Sequence, residues 1–193
     1  MERSLVIAGF GGQGILFSGQ VLAEAAMAEG LHTLWIPTYG PEMRGGTAAC
    51  TVLVSDSEIG SPIVDVADAV IALNPPSLAK YGPLVARGGV LVVNGSLIEA
   101  LSGRSDVTEL RIAATARALA AGDERLVSIV ALGALLSRME IVSQTAVRAA
   151  LERLVGRKHP EVLAADLTAF DDGIDAGLAA TFAAEGFLVA GTR

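Results

Sequence analysis

The stretch LVIAGFGGQGI, from Leu5 to Ile15, joins a short apolar run to a cluster of glycines and the start of a helical pattern. Its first four residues, Leu5–Ala8, are too few for a buried helix and too apolar for a half-exposed strand. They are typical of a central strand in a parallel sheet that is covered on both faces. The stretch therefore predicts a strand, a tight turn and a helix, which together form the first unit of an α/β fold.

Gly9, Gly11 and Gly14 form a G-x-G-x-x-G pattern directly after the predicted strand. Glycine permits a tight turn and lets backbone N–H groups approach a ligand, and the N-terminus of the following helix attracts an anion. The pattern alone is weakly specific, since a strand and a helix that only pack closely can show the same spacing. The candidate phosphate-binding residues of this loop are Gly9, Gly11, Gly12, Gln13 and Gly14.

The residues after the second predicted strand, His32–Ile36, argue against a nicotinamide cofactor. A dinucleotide-binding unit places Asp or Glu about 20 residues beyond the glycines, where the carboxylate binds the ribose hydroxyls. Here Pro37–Pro41 follow the strand, and the first acid is Glu42. We therefore retain a phosphate-bearing ligand and discount NAD.

The composition narrows the possible partners and compartments. A chain of 193 residues is most simply one domain, 1–193, and its formal charge of −7, from 14 basic and 21 acidic side chains, disfavours nucleic acid. Cys50 is the only cysteine, so the chain can form neither an internal disulfide nor its own four-cysteine iron–sulfur site. We find no export signal and no run long enough to span a membrane, and we expect a cytoplasmic protein.

Further strands and helices are predicted along the rest of the chain. The later predicted strands are Thr47–Ser55, Asp68–Asn74, Gly89–Asn94 and, at an edge, Glu109–Ala113. The later predicted helices are Ala114–Ala120, Leu126–Met139, Ser143–Leu154 and Pro160–Ala184, with Ser143 as an N-cap and Pro160 in a first turn. We expect a single Rossmann-like α/β domain with a mostly parallel central sheet and a helical C-terminal third.

A second polar loop, Thr38–Gly46, reads TYGPEMRGG and follows the second predicted strand. Ligands of parallel α/β sheets bind beyond the carboxyl ends of the strands, so this loop should lie beside the glycine loop. Its candidate binding residues are Arg44, Gly45 and Gly46, because an arginine can bind phosphate through two N–H groups and glycine permits close approach. A solvated loop with an internal Glu42–Arg44 pair is the alternative.

The other reactive side chains do not form a catalytic set. His32 and His159 lack partners at metal-ligand spacing and are interpreted as surface or capping residues, and no serine lies in a G-x-S-x-G turn. A lone cysteine in a strand is usually a small buried hydrophobe, and Asp171–Gly173 lies in a helical pattern without the ligand spacing that calcium needs. The residues therefore favour a binding or assembly role over chemistry carried by this chain.

Several segments, in order along most of the chain, resemble the gamma subunit of 2-oxoacid:ferredoxin (acceptor) oxidoreductases. They are GFGGQGI at Gly9–Ile15, LAEAA at Leu22–Ala26, YGPEMRGG at Tyr39–Gly46, VSD at Val54–Asp56, SP at Ser61–Pro62 and VALGALL at Val130–Leu136. The resemblance is closest to the 2-oxoglutarate and the branched-chain or pyruvate types, and weaker to the indolepyruvate type. Ser128 and Asp166 depart from it, because asparagine is expected at both places.

The resemblance implies a division of labour among subunits. Thiamine diphosphate is expected between alpha and beta subunits and iron–sulfur clusters on other chains, while the glycine loop is expected near coenzyme A, at a site shared with partner subunits. The expected partners are alpha and beta chains, with a ferredoxin-like delta chain as a further candidate and ferredoxin contacted indirectly. We expect a gamma-type subunit that supports CoA-dependent oxidative decarboxylation of a 2-oxoacid, with 2-oxoglutarate favoured and the isolated chain inactive. A stand-alone nucleotide- or acyl-CoA-binding regulatory domain is the alternative.

Overall fold

The computed structural model describes residues 1–40, 47–156 and 159–189, with the backbone alone for residues 181–189. The strands are β1 Glu2–Phe10, β2 His32–Tyr39, β3 Thr47–Ser55, β4 Ala67–Ala72, β5 Val85–Asn94 and β6 Thr108–Ile112. The helices are α1 Ile15–Ala28, α2 Pro75–Tyr81, α3 Ala114–Ala120, α4 Val127–Leu136, α5 Gln144–Leu151 and α6 Pro160–Val189. Short 3-10 turns occupy Gly82–Leu84 and Glu124–Leu126, and a π-helical turn occupies Glu152–Gly156.

The strands form one sheet in the spatial order β2-β3-β1-β4-β5-β6. β3 runs antiparallel to β1 and β2, whereas β1, β4, β5 and β6 pair in parallel. The prediction of an α/β fold with a mostly parallel sheet is confirmed. β2 continues through Pro37 to Tyr39, beyond its predicted end at Ile36, because an edge strand tolerates a residue that cannot donate to a second neighbour.

Helices cover the two faces of the sheet unequally. Successive side chains of β1 point alternately to these two faces. Leu5 and Ile7 point into the larger core, which is shared with α1, α3, α4, α5 and α6, while Val6 points into a smaller core with Leu78 of α2. Every residue of α4 is buried. None of the helices in the described ranges is both long and apolar enough to cross a membrane.

The helical C-terminal third is also confirmed. Ser143 caps α5, since its hydroxyl oxygen accepts a hydrogen bond from the Ala146 N–H at 3.1 Å. Pro160 is the first residue of α6. α6 packs closely on α4, and a Cβ added at Gly133 would overlap the carbonyl oxygen of Phe170. This packing fixes the position of α6 relative to the sheet.

The amino end of β3 lies at the carboxyl ends of β1 and β2. Thr47 is opposite Phe10, and Ala48 is opposite Tyr39. The glycine turn after β1 and the start of the second polar loop after β2 therefore lie at one edge of the sheet, as the sequence predicts. Arg44, Gly45 and Gly46 lie outside the described residues.

Candidate functional site

A glycine turn, Gly11–Gly14, connects β1 to α1. The φ angles of Gly12 and Gly14 are 101° and 72°, a region that L side chains rarely adopt. Gly14 is the N-cap of α1, it makes no side-chain capping bond, and the first turn of the helix carries no acidic residue. The first N–H groups of α1 therefore remain able to bind an anion.

Two of the candidate loop residues, Gly9 and Gln13, stabilise the turn from behind. The Gln13 side chain is 6% exposed, and its Oε1 accepts a hydrogen bond from the Phe10 N–H at 2.7 Å. A Cβ added at Gly9 would overlap this oxygen and lie 2.9 Å from the Leu73 Cβ, so only glycine fits there. Gly11, Gly12 and Gly14 instead line a cavity.

This cavity has a volume of about 660 Å³, which is within the range of small-molecule and cofactor sites. Much of its wall is apolar, and the apolar lining includes Phe10, Ile15, Leu16, Phe17, Leu126 and Val162. Tyr39 and Thr47, which flank the second polar loop, also line it. The cavity thus combines backbone N–H groups of a helix N-terminus with apolar walls.

The 3-10 turn before α4 brings two opposite charges to the cavity, Asp123 and Arg125. The Arg125 Nε lies 2.8 Å from Asp123 Oδ2, and the Arg125 backbone N–H donates to Asp123 Oδ1 at 2.8 Å. These hydrogen bonds hold the pKa of Asp123 below its usual range. The Arg125 side chain is 77% exposed, so its guanidinium remains accessible to an anionic ligand.

Asp166 of α6 lines the same cavity and is only 2% exposed. Its Oδ2 has no hydrogen-bond partner among the described residues. Burial raises the pKa of Asp166 to about 6, with a further contribution from the charge of Asp123, while Arg125 acts in the opposite direction. Ser128 Oγ is a second buried oxygen without such a partner, and it would lie 2.7 Å from a Cβ added at Gly14.

The sequence did not predict that Asp123, Arg125 and Asp166 belong to this site, because no characteristic spacing relates them to the glycine motif. Asp166 stood out only as a departure from the family resemblance. His159 is exposed, and its carbonyl oxygen accepts hydrogen bonds from the first turn of α6, in keeping with its interpretation as a surface or capping residue. His159 also lines the cavity.

Cys50 is fully buried in β3, as predicted for a small hydrophobe. Its Sγ lies 3.4 Å from the Ile15 carbonyl oxygen, and burial raises the pKa of the thiol to about 12. Within the described ranges, no three His, Cys, Asp or Glu residues are grouped as a metal site would require.

Comparison with known proteins shows similarity along most of the chain. A family model described as pyruvate ferredoxin/flavodoxin oxidoreductase matches residues 4–176. The 2-oxoglutarate synthase subunit KorC of Methanothermobacter thermautotrophicus is 36% identical over 184 residues, which cover 90% of this chain and 94% of KorC. The ketoisovalerate oxidoreductase subunit VorA of the same organism is 50% identical over 95 residues, which cover 49% of this chain and 20% of VorA. The match thus spans nearly all of KorC but only about a fifth of VorA.

The solved structures that share the fold include two related oxidoreductases. The gamma subunit of a keto/oxoacid ferredoxin oxidoreductase from Geobacter sulfurreducens superposes with a TM-score of 0.78 at 30% identity, covering 92% of this chain and 99% of that one. The 2-oxoglutarate:ferredoxin oxidoreductase from Magnetococcus marinus, solved with 2-oxoglutarate, coenzyme A and succinyl-CoA bound, gives a TM-score of 0.84 at 28% identity. That match covers 92% of this chain and 31% of the longer protein.

Proposed function

This chain belongs to the pyruvate ferredoxin/flavodoxin oxidoreductase family, and we propose that it is the gamma-type subunit of a 2-oxoacid:ferredoxin oxidoreductase complex. The observation that carries the proposal is its end-to-end similarity to KorC, a subunit of 2-oxoglutarate synthase. 2-Oxoglutarate is therefore the favoured 2-oxoacid. We further propose that residues 1–193 act as one domain in the cytoplasm.

Coenzyme A is the ligand we propose for the cavity. Its phosphates suit the free N–H groups of α1, because a helix N-terminus with glycine before it binds anions. Arg125 adds an accessible positive charge at the same wall. The apolar residues around these groups, including Phe10 and Leu126, suit the less polar arm of the molecule. When bound, coenzyme A would supply the thiol that accepts the acyl group.

We propose that thiamine diphosphate and iron–sulfur clusters are held by partner subunits. Cluster ligands are cysteine thiolates, and the raised pKa of the buried Cys50 keeps its thiol protonated. The proposed partners are alpha and beta chains, with a ferredoxin-like delta chain as a further candidate. Large exposed apolar side chains, including Tyr39, Ile63 and Leu101, support burial of part of this surface in an assembly.

Arg44, Gly45 and Gly46 remain part of the proposed coenzyme A site. They belong to the segment between Tyr39 and Thr47, and both of these residues line the cavity. An arginine in this segment could bind a phosphate oxygen through two N–H groups. This role rests on the sequence and on the position of the flanking residues.

The test is to co-express the chain with the proposed thiamine diphosphate-binding and cluster-binding subunits from the same organism, and to titrate coenzyme A while acceptor reduction is followed. Arg44→Ala should raise the coenzyme A requirement about tenfold or more, because a charged hydrogen bond contributes about 1.5–3 kcal/mol. The matched control is Arg87→Ala, since Arg87 is exposed near the amino end of β5, away from the cavity.

The same complexes distinguish the proposal from its alternative. The decarboxylation half-reaction without coenzyme A should change little in the Arg44→Ala complex, because the thiamine diphosphate is held elsewhere. An unchanged coenzyme A requirement in intact complexes would leave the loop as a subunit interface. A chain that binds coenzyme A but has no affinity for the neighbouring subunits would instead be a stand-alone regulatory domain.

A further inference from the structure

Asp166 is a charged side chain in an unusual position. It lies in α6, it is only 2% exposed, and yet it lines the cavity together with Gly14 and Arg125. Its Oδ2 has no hydrogen-bond partner among the described residues. A buried carboxylate oxygen without a donor is strongly unfavourable, so natural sites usually supply a donor. A bound ligand is one source of that donor.

The charged residues that the structure describes around Asp166 do not supply this donor. Arg125 is held by Asp123, to which it donates through Nε at 2.8 Å and through a second guanidinium nitrogen at 2.5 Å. Asp123 adds negative charge near Asp166. Among the described residues, the other titratable groups on the cavity wall are His159, on the segment before α6, and Tyr39, on β2. Because the pKa of Asp166 is raised to about 6, its carboxyl is still mainly ionised at pH 7.

The two polar parts of the cavity therefore favour different ligand groups. The glycine turn presents N–H donors and attracts an anion, whereas Asp166 presents an acceptor and repels one. A ligand that satisfies both must carry an O–H or N–H group a short distance from its phosphates. The phosphorylated ribonucleoside part of coenzyme A has this combination.

We propose that Asp166 binds the ligand directly, accepting a hydrogen bond from a ribose hydroxyl or an N–H of the nucleoside while the phosphates lie against the glycine turn. This inference deepens the proposed function and rests on coenzyme A as the ligand of the cavity. It assigns to α6 the carboxylate contact that dinucleotide-binding folds obtain from the end of a strand. Asp166 is then a determinant of specificity for nucleoside-bearing anions.

The test is isothermal titration calorimetry of the chain assembled with its partner subunits, using coenzyme A and dephospho-coenzyme A, from pH 5 to 8, in buffers of different ionisation enthalpy. Dephospho-coenzyme A has no phosphate monoester, so its own phosphates do not titrate in this range. A ligand that donates to the carboxylate lowers the pKa of Asp166 on binding, and protons are released. We expect release of about half a proton per site near pH 6, and an affinity that rises from pH 5 to 7.

Variants distinguish the effect of Asp166 on binding and proton release from the effects of other residues. Asp166→Asn should bind dephospho-coenzyme A about tenfold more weakly at pH 7, because a neutral acceptor replaces a charged one, and the proton release should disappear. His159→Gln should retain the proton release, which excludes the histidine on the same cavity wall as its source. Asp175→Asn, an exposed acid on the same helix, is the control for a change of net charge.

Each outcome decides a different point. Proton uptake on binding would mean that an anionic group of the ligand faces Asp166, and the inference would be wrong. Equal affinity and equal proton release in the wild type and Asp166→Asn would overturn the inference while leaving coenzyme A as the ligand. If the assembled wild-type complex binds neither compound, both the inference and the proposed ligand of the cavity are overturned.

Discussion

Replacement of Gly14 by alanine should destabilise the folded chain strongly. Gly14 has a φ of 72°, and an alanine in this left-handed region is unfavourable by about 1–2 kcal/mol. The added Cβ would also overlap the Arg125 carbonyl oxygen and lie 2.7 Å from Ser128 Oγ. Overpacking of this kind typically adds about 1–3 kcal/mol. We expect a total loss of about 2–5 kcal/mol, a large share of the 5–15 kcal/mol that is usual for a domain.

Gly12→Ala is the matched control for this substitution. Gly12 also has a positive φ, 101°, but an added Cβ would have no atom of the described residues within 4 Å. Only the backbone term applies, so the expected loss is about 1–2 kcal/mol. Urea unfolding followed by circular dichroism measures both losses. Ser128→Ala should recover part of the Gly14→Ala loss, because it removes the hydroxyl but not the Arg125 carbonyl. Equal losses in the two alanine variants would refute the reasoning.

Three further predictions concern the isolated chain. Pure protein with thiamine diphosphate, coenzyme A and 2-oxoglutarate should reduce no acceptor dye, because electron transfer needs a cluster that Cys50 alone cannot hold; measurable reduction would contradict this. Cys50 should react with a thiol reagent at pH 8 only on unfolding, since burial raises its pKa to about 12; rapid labelling of the folded chain would argue otherwise. The folded-state pKa of Asp166, about 6, lies above its usual value of 3.8, so the folded state binds more protons and stability should fall as pH rises from about 4 to 6. Asp166→Asn should remove this fall and gain roughly 3 kcal/mol at most at pH 7, measured by urea unfolding at pH 4.5 and 7.5; parallel losses in both proteins would count against it.

Local patterns in the sequence predicted most of the elements because their causes are local. β1 and α1 follow from an apolar run, a glycine turn and helical spacing, and α3 is predicted at its observed bounds, Ala114–Ala120. Ser143 was predicted as a cap because its hydroxyl can bond a backbone N–H three residues on, as it does with Ala146. Such features depend on neighbours in the chain and not on the tertiary fold.

The direction of β3 could not be read from its residues. Thr47–Ser55 is buried on both faces, and a strand with this burial has the same composition whether it runs parallel or antiparallel to its neighbours. The continuation of β2 through Pro37 has a similar origin, since an edge position becomes known only when the strand order is known. These properties belong to the sheet as a whole.

The candidate site was predicted only in part, because which residues reach the cavity also depends on the tertiary fold. The motif located Gly11, Gly12 and Gly14 on the cavity, but it also included Gly9 and Gln13, which the structure places behind the turn. Spacing alone cannot tell a glycine that faces a ligand from one that faces a leucine. The charged wall comes from the turn before α4 and from α6, and only the packing of α6 on α4 brings it to the glycines.

The strand order also explains why no acid follows β2. In dinucleotide-binding units the acid ends the strand next to β1 and reaches the ribose from there. Here β3 lies between β1 and β2, so the end of β2 is two strand spacings, about 9.5 Å, from the end of β1. A carboxylate there would be a full strand further from a phosphate held at the glycine turn. A ribose contact in this fold must come from another element, and Asp166 on α6 is a buried carboxylate that lines the same cavity as the turn.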